Sequence, residues 1–245
     1  MAQQIHEAEG PSTGQQWGHH WKESERVREY VDRTDRQAAE RADSFRYLVG
    51  VIPFDRDRPL RVLDIGSGHG VVAAALLDHF PHSTAIGLDV SEPMMEIGRE
   101  RMDPYGTRFR YHVGDFADGA LPGDLPGSFD VVVSSRAIHH LPSENKRRLY
   151  KAILDVLERE GCFFNLDVVG PRDEYLKDIY RVAGEFVSGQ PAQQPRPGAS
   201  RTSAHGHFPE TVANHLRLLS EAGFEPVDCF WKQLGNALVG GYKRS

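Results

Sequence analysis

The sequence predicts an α/β fold in which a mostly parallel sheet carries helices on both faces. Between Leu60 and Val168, short apolar runs typical of strands alternate with segments of helical periodicity, a pattern typical of a parallel sheet. A glycine-rich turn joins the first strand to the first helix. Two further strand-like runs near the end of the chain meet at Leu234-Gly235, and so short a connection predicts an antiparallel hairpin.

The N-terminal region differs from the rest of the chain. Residues 1–16 are polar and are expected to form a disordered tail. Residues 17–54 predict a helical cover made of two helices. The first helix is expected at about Lys22 to Asp32. The second is expected to begin at Thr34 and Gln37, which have capping-box spacing, and to stop before a proline.

Residues 55–245 are expected to form the main domain, and residues 171–208 within it an insertion or lid, because Gly189 to His207 is rich in Gln, Pro, Gly and Ser without periodicity. Gly161 and Gly223 are expected to end helices. The predicted strands are Arg61–Ile65, Thr84–Val90, Phe109–Val113, Phe129–Ser134, Cys162–Val168, Glu225–Gln233 and Asn236–Tyr242. The predicted helices are Val71–Phe80, one capped by Ser91, Ser143–Glu160, Tyr175–Val187 and Pro209–Ala222.

The composition excludes several classes of protein. The chain has 245 residues, of which 39% are hydrophobic and 26% charged, so it can bury a core of its own. The net charge is −6 without a basic block, and no nucleic-acid partner is expected. No apolar run suits a membrane helix or a signal region. We therefore expect no membrane partner and a cytoplasmic location, with Cys162 and Cys229 as thiols.

The strongest motif is D-I-G-S-G-H-G, which runs from Asp64 to Gly70 at the turn between the first strand and the first helix. Glycines at such a turn let backbone N–H groups approach a ligand at the positive end of a helix. The spacing is G-x-G-x-G rather than the G-x-G-x-x-G of dinucleotide-binding folds. It therefore disfavours a nicotinamide-dependent dehydrogenase.

This motif resembles the first motif of the class I S-adenosylmethionine-dependent methyltransferases, D/E-x-G-x-G-x-G, and the resemblance covers about Leu60 to Val168. It implies a Rossmann-like fold with a seven-stranded sheet. It also implies an enzyme that moves a methyl group from S-adenosylmethionine to an O, N, S or C nucleophile of a small molecule, releasing S-adenosylhomocysteine. Gly66, Ser67 and Gly68 would then hold the methionine part of the cofactor, and Asp64 would organise the loop and the amino group.

Further cofactor contacts are expected where the later strands end. A carboxylate at Asp89, after the second strand, can accept hydrogen bonds from both ribose hydroxyls. The resemblance implies that Asp115 accepts from the adenine amino group and that the backbone of Phe116 contacts the ring. The other expected cofactor contacts are Val90, Ser134, Ser135 and Arg136.

His139 and His140 are the expected catalytic residues, because they follow the fourth strand at its ligand-binding end and an imidazole suits a general base. The alternative is that they pack beneath the cofactor. Asp167, which shares a face of the fifth strand with Asn165, is expected to bind an ammonium or hydroxyl group of the substrate. No metal is expected, because the acidic residues that a magnesium site needs are not evident.

Aromatic, histidine and arginine side chains outside the sheet are expected to shape the substrate pocket. The expected substrate residues are Trp21, Tyr30, Tyr175, Tyr180, Arg201 and His207. His69, inside the glycine-rich turn, is expected at the surface. The chain is expected to be a monomer or a homodimer.

Two other functions remain open at this point. The C-terminal stretches Ala222 to Glu225 and Trp231 to Val239 resemble the corresponding part of carboxy-S-adenosylmethionine synthases. These enzymes make a carboxymethyl sulfonium from S-adenosylmethionine and prephenate. The other alternative is a module that binds S-adenosylmethionine without catalysis.

Overall fold

The computed structural model describes residues 24–36, 38–189 and 207–244. Of the sequence-based expectations, the N-terminal tail, Trp21, Arg201 and most of the Gly189–His207 stretch lie outside these residues. The strands are β1 (Arg61–Ile65), β2 (Thr84–Asp89), β3 (Phe109–Val113), β4 (Phe129–Ser135), β5 (Leu157–Val168), β6 (Val227–Gln233) and β7 (Asn236–Tyr242). The helices are α1 (Ser24–Arg36), α2 (Ala38–Gly50), α3 (Val71–His79), α4 (Glu92–Met102), α5 (Ser143–Val156), α6 (Glu174–Ser188) and α7 (Val212–Ala222).

The seven strands form one sheet in the order β3-β2-β1-β4-β5-β7-β6. Strands β1 to β5 run parallel, whereas β7 pairs antiparallel with both β5 and β6. The order reverses between β1 and β4, so the carboxyl ends of these two strands border the crevice where open α/β sheets bind ligands. The predicted fold class is confirmed.

Helices cover both faces of this sheet. On one face, Leu149 of α5 and Leu218 of α7 pack with Leu63 of β1 in a buried cluster. On the other face, Leu48 of α2 and Leu76 of α3 are part of a second buried cluster. The central strands are buried on both sides, which explains why their sequences read as continuous apolar runs. Among the described residues, no helix has both the length and the apolar character needed to cross a bilayer.

The predicted end of α5 is wrong. The helix stops at Val156, and residues up to Glu160 belong to β5 instead. Leu157 has an extended backbone and pairs with Phe129 of β4 instead, and the Nζ of Lys243 donates hydrogen bonds to the carbonyl oxygens of Leu154 and Leu157. Gly161 therefore lies inside a strand, where its backbone oxygen accepts from the N–H of Lys243 at 2.8 Å.

The predicted cap of α2 is also wrong. Thr34 lies inside α1, and its hydroxyl donates to the backbone oxygens of Tyr30 and Val31. It is therefore satisfied within its own helix, as Thr side chains in helices often are. Gln37, the other half of the expected cap, lies outside the described residues.

Two neighbouring residues of α2 test how firmly this helix is packed on the sheet. Leu48 is 1% exposed and Tyr47 is 51% exposed. We expect Leu48→Ala to lower the free energy of unfolding by about 2–5 kcal/mol, because it leaves a cavity in the core. Tyr47→Ala serves as the matched control and should change it by less than about 0.5 kcal/mol. Urea unfolding measures both, and equal losses would contradict the packing described here.

Candidate active site at the ends of the central strands

The glycine-rich turn after β1 is held against β2 and the end of β4. The N–H groups of Gly66 and Ser67 both donate to the carbonyl oxygen of Leu88, at 2.8 and 3.1 Å. Gly66, with φ of 68°, has a left-handed backbone conformation. A Cβ atom at this position would overlap the Cβ of Ala137. The turn can approach the end of β4 this closely only because residue 66 is glycine.

Asp89 ties this turn to the start of α4. One of its carboxylate oxygens accepts from the N–H of Gly68 at 2.7 Å, and the other accepts from the N–H of Ser91 at 2.8 Å. Burial raises the pKa of Asp89, while hydrogen bonds from the backbone of Ser91, Gly68 and Val90 act in the opposite direction. A carboxylate has about four lone-pair sites. Three backbone N–H groups occupy three of them, so one site remains for a ribose hydroxyl without any change in this arrangement.

Asp64 places a second carboxyl group under the same turn, in a nearly dry environment. It is 1% exposed, and one of its oxygens accepts from the N–H of Ala73 at 3.2 Å. Its Oδ1 and the hydroxyl of Ser67 have no hydrogen-bond partner among the described residues. Burial, together with the nearby charge of Asp89, raises the pKa of Asp64 from 3.8 to about 7 against the effect of the Ala73 N–H. The turn thus offers buried oxygen atoms to a cationic ligand group.

Helix α1 covers this turn, which corrects the expectation that His69 lies at the surface. His69 is 5% exposed, and its Nε2 lies 3.5 Å from a carboxylate oxygen of Asp35 in α1. Arg101 of α4 holds the same carboxylate through two contacts of 3.0 Å. The side chain at position 69 is therefore part of the contact between α1 and the glycine-rich turn.

The predicted substrate residue Tyr30 belongs to this same contact. It is half-buried and packs on a small cluster formed by Val27, Val31 and Met94. Met94 lies 3.9 Å from the point where a Cβ would stand on Gly68. Tyr30 thus belongs to the covering helix α1 and lies near the glycine-rich turn.

Asp115 and Phe116 lie at the end of β3, where the resemblance places adenine. Asp115 is exposed, and its carboxylate accepts from the N–H of Ala117 at 2.8 Å, which closes a tight turn. The ring of Phe116 reaches to 3.4 Å from the position of a Cβ on Gly66. Phe116 therefore borders the turn directly, and the adenine contact of Asp115 stays a prediction.

The end of β4 differs in part from expectation. Ser134 is fully buried and its hydroxyl donates to the carbonyl oxygen of Ile65 at 2.8 Å, so it links two strands rather than lining the crevice. Ser135 and Arg136 are half-buried. Arg136 has a φ of 54°, unusual for a residue with a side chain. This backbone turn leads the chain into a single turn of 3₁₀-helix at Ile138–His140.

His139 is fixed by Asp167 of β5. One carboxylate oxygen accepts from the backbone N–H of His139 at 2.8 Å, and the other lies 2.6 Å from its Nδ1. Burial raises the pKa of Asp167, but its electrostatic interaction with the His139 ring and the hydrogen bonds from His139 and Val168 outweigh burial and lower the pKa to about 2. Asp167 is 2% exposed. It orients His139, and this corrects the expectation that it binds a substrate group itself.

A second buried side chain brings His207 to the same place. The backbone N–H of Phe208 donates to the carbonyl oxygen of His139 at 2.8 Å, and the Nζ of Lys146 donates to the carbonyl oxygen of Phe208. Lys146 is fully buried, and burial lowers its pKa to about 8. These two bonds hold the chain just after His207 beside the His139 turn. The role of Lys146 was missed at the level of sequence, where it reads as an ordinary surface lysine of α5.

The result is a cluster of three histidines. The ring of His139 lies 4.0 Å from that of His140 and 4.5 Å from that of His207, measured between centroids. One nitrogen of each of the three side chains lies within 4.8 Å of the other two. Sequence reasoning named all three residues, but it separated His207 from the other two and did not foresee the cluster.

Two other predicted substrate residues do not join this cluster. Tyr175 is 76% exposed on α6. The hydroxyl of Tyr180 accepts a hydrogen bond from the Nζ of Lys232 in β6 at 2.8 Å. Both residues belong to α6. Tyr175 faces solvent, and Tyr180 faces the C-terminal hairpin.

Comparison with known proteins agrees with this geometry. A family profile described as a methyltransferase domain matches residues 62–161. The malonyl-[acyl-carrier protein] O-methyltransferase of Geobacter sulfurreducens is 32% identical over 173 residues, which cover 70% of this chain and 58% of that protein. The carboxy-S-adenosyl-L-methionine synthase of Nautilia profundicola is 22% identical over 179 residues, covering 70% and 72%.

Other relatives are longer than the matched part. The chain spans 22%, 53% and 46% of the length of three further curated relatives. Among solved structures, human N-acetylserotonin methyltransferase in complex with S-adenosylmethionine has a TM-score of 0.65 at 13% identity, covering 96% of this chain and 60% of that one. A likeness at this level of identity concerns the fold.

The strand order defines a Rossmann-like fold, and folds of this kind bind their ligands at the carboxyl ends of the central strands, here β1 and β4. Within that class, residues 62–161 match a methyltransferase domain, and the relatives and structural neighbours support the class I S-adenosylmethionine-dependent methyltransferases, whose cofactor is S-adenosylmethionine. The residues present fit this cofactor, because the oxygens of Asp64 and Ser67 that lack a hydrogen-bond partner among the described residues suit a cationic amino group.

Replacing Gly66 tests whether the turn holds the cofactor. We expect Gly66→Ala to weaken S-adenosylmethionine binding at least about tenfold, because the added methyl group overlaps Ala137 and displaces the turn. Gly106→Ala is the matched control. Gly106 also has a positive φ, of 52°, but a Cβ there meets nothing within 4 Å. Titration calorimetry with the cofactor measures both variants. Equal losses of affinity would place the cofactor elsewhere.

The buried carboxyl of Asp64 should make stability depend on pH. Its pKa is about 7 in the folded chain and about 3.9 in an unfolded one. Wild type therefore loses stability through this group as pH rises from 4 to 7. Without cofactor, Asp64→Asn should be more stable than wild type at pH 8, on the order of 2 kcal/mol, and the difference should shrink toward pH 4.

The control for this experiment is Asp57→Asn, which changes an exposed carboxyl group. Urea unfolding at several pH values should show no such trend for the control. If Asp64→Asn is less stable than wild type at pH 8, the carboxylate is stabilised by its surroundings, contrary to this description.

Proposed function

We propose that this chain transfers the methyl group of S-adenosylmethionine to a nucleophilic atom of a small molecule and releases S-adenosylhomocysteine. The observation that carries the proposal is the position of the His139–Asp167 pair. His139 follows Ala137 by two residues, and Ala137 packs directly against Gly66 of the cofactor turn. An acceptor in front of the histidine cluster would thus lie beside the cofactor.

The proposal divides the cofactor among three strand ends. Backbone and carboxyl groups of residues 64–68 would bind the methionine part, Asp89 with Val90 the ribose, and Asp115 with Phe116 the adenine. Bound there, S-adenosylmethionine supplies an electrophilic methyl group and a sulfur atom that leaves as a thioether. The protein contributes mainly positioning, which can lower a barrier by about 7–11 kcal/mol.

His139 and His140 are the proposed catalytic residues. An acceptor hydroxyl or ammonium must lose a proton before or during attack. Asp167 binds Nδ1 of His139, which leaves Nε2 as the nitrogen that can face the acceptor. The imidazole can take the proton itself, or it can act on the acceptor through a bound metal ion. Asp167 serves as a positioning residue in both cases.

The direct test is to supply the purified chain with S-adenosylmethionine and a panel of hydroxy, amino, thiol and enolic compounds. Formation of S-adenosylhomocysteine and of a product heavier by one methyl group is followed by mass spectrometry. The proposal requires both products in equal amounts with at least one acceptor. Binding of the cofactor with no turnover across the panel and in metabolite extracts would favour the non-catalytic alternative.

With the first acceptor found, Asp167→Asn should lower kcat by about 100-fold, because an asparagine no longer fixes the His139 imidazole. The affinity for S-adenosylmethionine should stay within about twofold of wild type, as Asp167 does not touch the cofactor turn. Asp155→Asn, an exposed carboxyl on α5, is the control. An unchanged kcat in Asp167→Asn would remove the pair from the proposed mechanism.

A carboxy-S-adenosylmethionine synthase activity is the second candidate. The relative of that name matches 70% of this chain and 72% of its own length, a more complete match to the whole relative than the O-methyltransferase gives. The two functions differ in the compound that the protein retains. Mass spectrometry of adenosyl compounds released from freshly purified protein distinguishes them, since only the second candidate yields the carboxylated sulfonium.

A further inference from the structure

We propose that His139, His140 and His207 bind a divalent transition-metal ion at the acceptor side of the site. The chain places one nitrogen of each side chain within 4.8 Å of the others, and the three residues come from two segments far apart in sequence. Convergence of three imidazoles is a ligand set that suits zinc and its neighbours in the periodic table. No cysteine or exposed carboxylate is needed to complete it.

The surroundings of His139 match those of a metal ligand. A histidine that binds a metal through one ring nitrogen commonly donates the other N–H to a carboxylate, which fixes the orientation of the ring. Asp167 supplies this carboxylate, at 2.6 Å from Nδ1. It also accepts from the backbone N–H of His139 and lies buried, so the ring has little freedom to turn. The remaining nitrogen, Nε2, is the one directed to the ion.

His207 is held at the cluster by its neighbour. The two hydrogen bonds of Phe208, one to the backbone of His139 and one from the Nζ of Lys146, fix the chain one residue away. The His207 ring then packs against both other rings, with centroids 4.5 Å from His139 and 5.2 Å from His140. Because the buried Lys146 donates to the carbonyl oxygen of Phe208, the position of His207 is fixed without any ligand.

The distances require only a small adjustment on binding. Three nitrogens bound tetrahedrally to one zinc ion at about 2.0–2.1 Å lie about 3.3 Å apart. The nitrogens of this cluster need to approach each other by at most about 1.5 Å from their 4.8 Å limit. Rotation of the His140 and His207 side chains, which are half-buried and exposed respectively, can supply this movement while Asp167 keeps His139 in place.

A metal ion in this cluster would determine which class of acceptor the site binds. This inference rests on the proposed function. Three protein ligands leave a coordination position open for an oxygen atom of a small molecule. An acceptor hydroxyl bound there loses its proton to solvent more readily. Its oxygen then forms a bond to the methyl carbon as the carbon–sulfur bond breaks, and sulfur keeps the electron pair. The acceptor would be a hydroxy compound able to coordinate a metal.

Metal binding is tested on the full chain, freed of metal with a chelator and studied without cofactor or acceptor. Titration calorimetry with Zn²⁺ should show one ion bound per chain at micromolar concentrations. Co²⁺ should give the intense visible absorption of a site with few ligands. The proposal is overturned if wild type binds no zinc in this range, or if Co²⁺ keeps the weak spectrum of the hydrated ion.

His140→Gln and His207→Gln identify the ligands. Loss of an outer-shell partner of a metal typically weakens binding about 10–100-fold, so loss of a direct ligand should weaken Zn²⁺ binding by about 100-fold or more. His82→Gln, at an exposed histidine before β2, should bind as wild type does. The urea midpoint of each variant without metal shows that folding is intact. Wild-type affinity in both cluster variants would overturn the assignment.

The acceptor step has its own readout. Once an acceptor is known, chelator-treated protein should lose most of its methyl transfer and regain it with Zn²⁺. Full activity without metal would overturn the acceptor class while leaving the metal site in place. Conversely, zinc binding in a chain that transfers no methyl group would refute the proposed function alone, because binding is measured without the cofactor.

Discussion

The site depends on the hydrogen bonds between Asp167 and His139. A carboxylate that is 2% exposed would be costly to bury alone. Here it accepts from the backbone N–H and the ring of His139 and from the N–H of Val168. These bonds fix the single helical turn after β4. The carbonyl oxygen of the same turn then holds Phe208, so the position of His207 follows from the same pair.

The cofactor turn is built on a different constraint, the contact between Gly66 and Ala137. It brings the turn after β1 against the end of β4, two residues before His139. Two buried carboxyl groups, Asp64 and Asp89, lie at one end of the crevice, and their burial is unfavourable. Backbone N–H groups offset the cost of this burial only in part, and burial raises the pKa of Asp64 to about 7. A cationic ligand group bound beside the two carboxyl groups would stabilise the folded chain.

Much of the sheet could be predicted from the sequence, because its signals are local. Strands β1 and β3 have the predicted bounds, since apolar runs and flanking turns determine them without reference to distant residues. The glycine-rich turn is equally local, as its backbone angles restrict the residue types it accepts. Gly223, with φ of 109°, ends α7 where the sequence predicts it.

The errors share one cause, which is contact between residues far apart in the chain. Leu157, where α5 ends, pairs with Phe129 of β4, and His69 contacts Asp35 of the distant helix α1. The sequence predicts that Ser134 contacts the ligand, because local pattern does not reveal its hydrogen bond to the carbonyl oxygen of Ile65. The histidine cluster is the clearest case, because nothing near His207 in the sequence indicates His139 as its neighbour. Pairing of distant polar groups has no periodicity, so pattern analysis does not detect it.

A crystal structure of the chain with S-adenosylhomocysteine would show whether cofactor and acceptor meet between the glycine-rich turn and the histidine cluster. We expect the compound along residues 64–68, its ribose hydroxyls at the Asp89 carboxylate and its sulfur atom facing His139, with the Asp167–His139 bonds unchanged. Density for the compound at any other crevice, or a sulfur atom directed away from the three histidines, would contradict this arrangement.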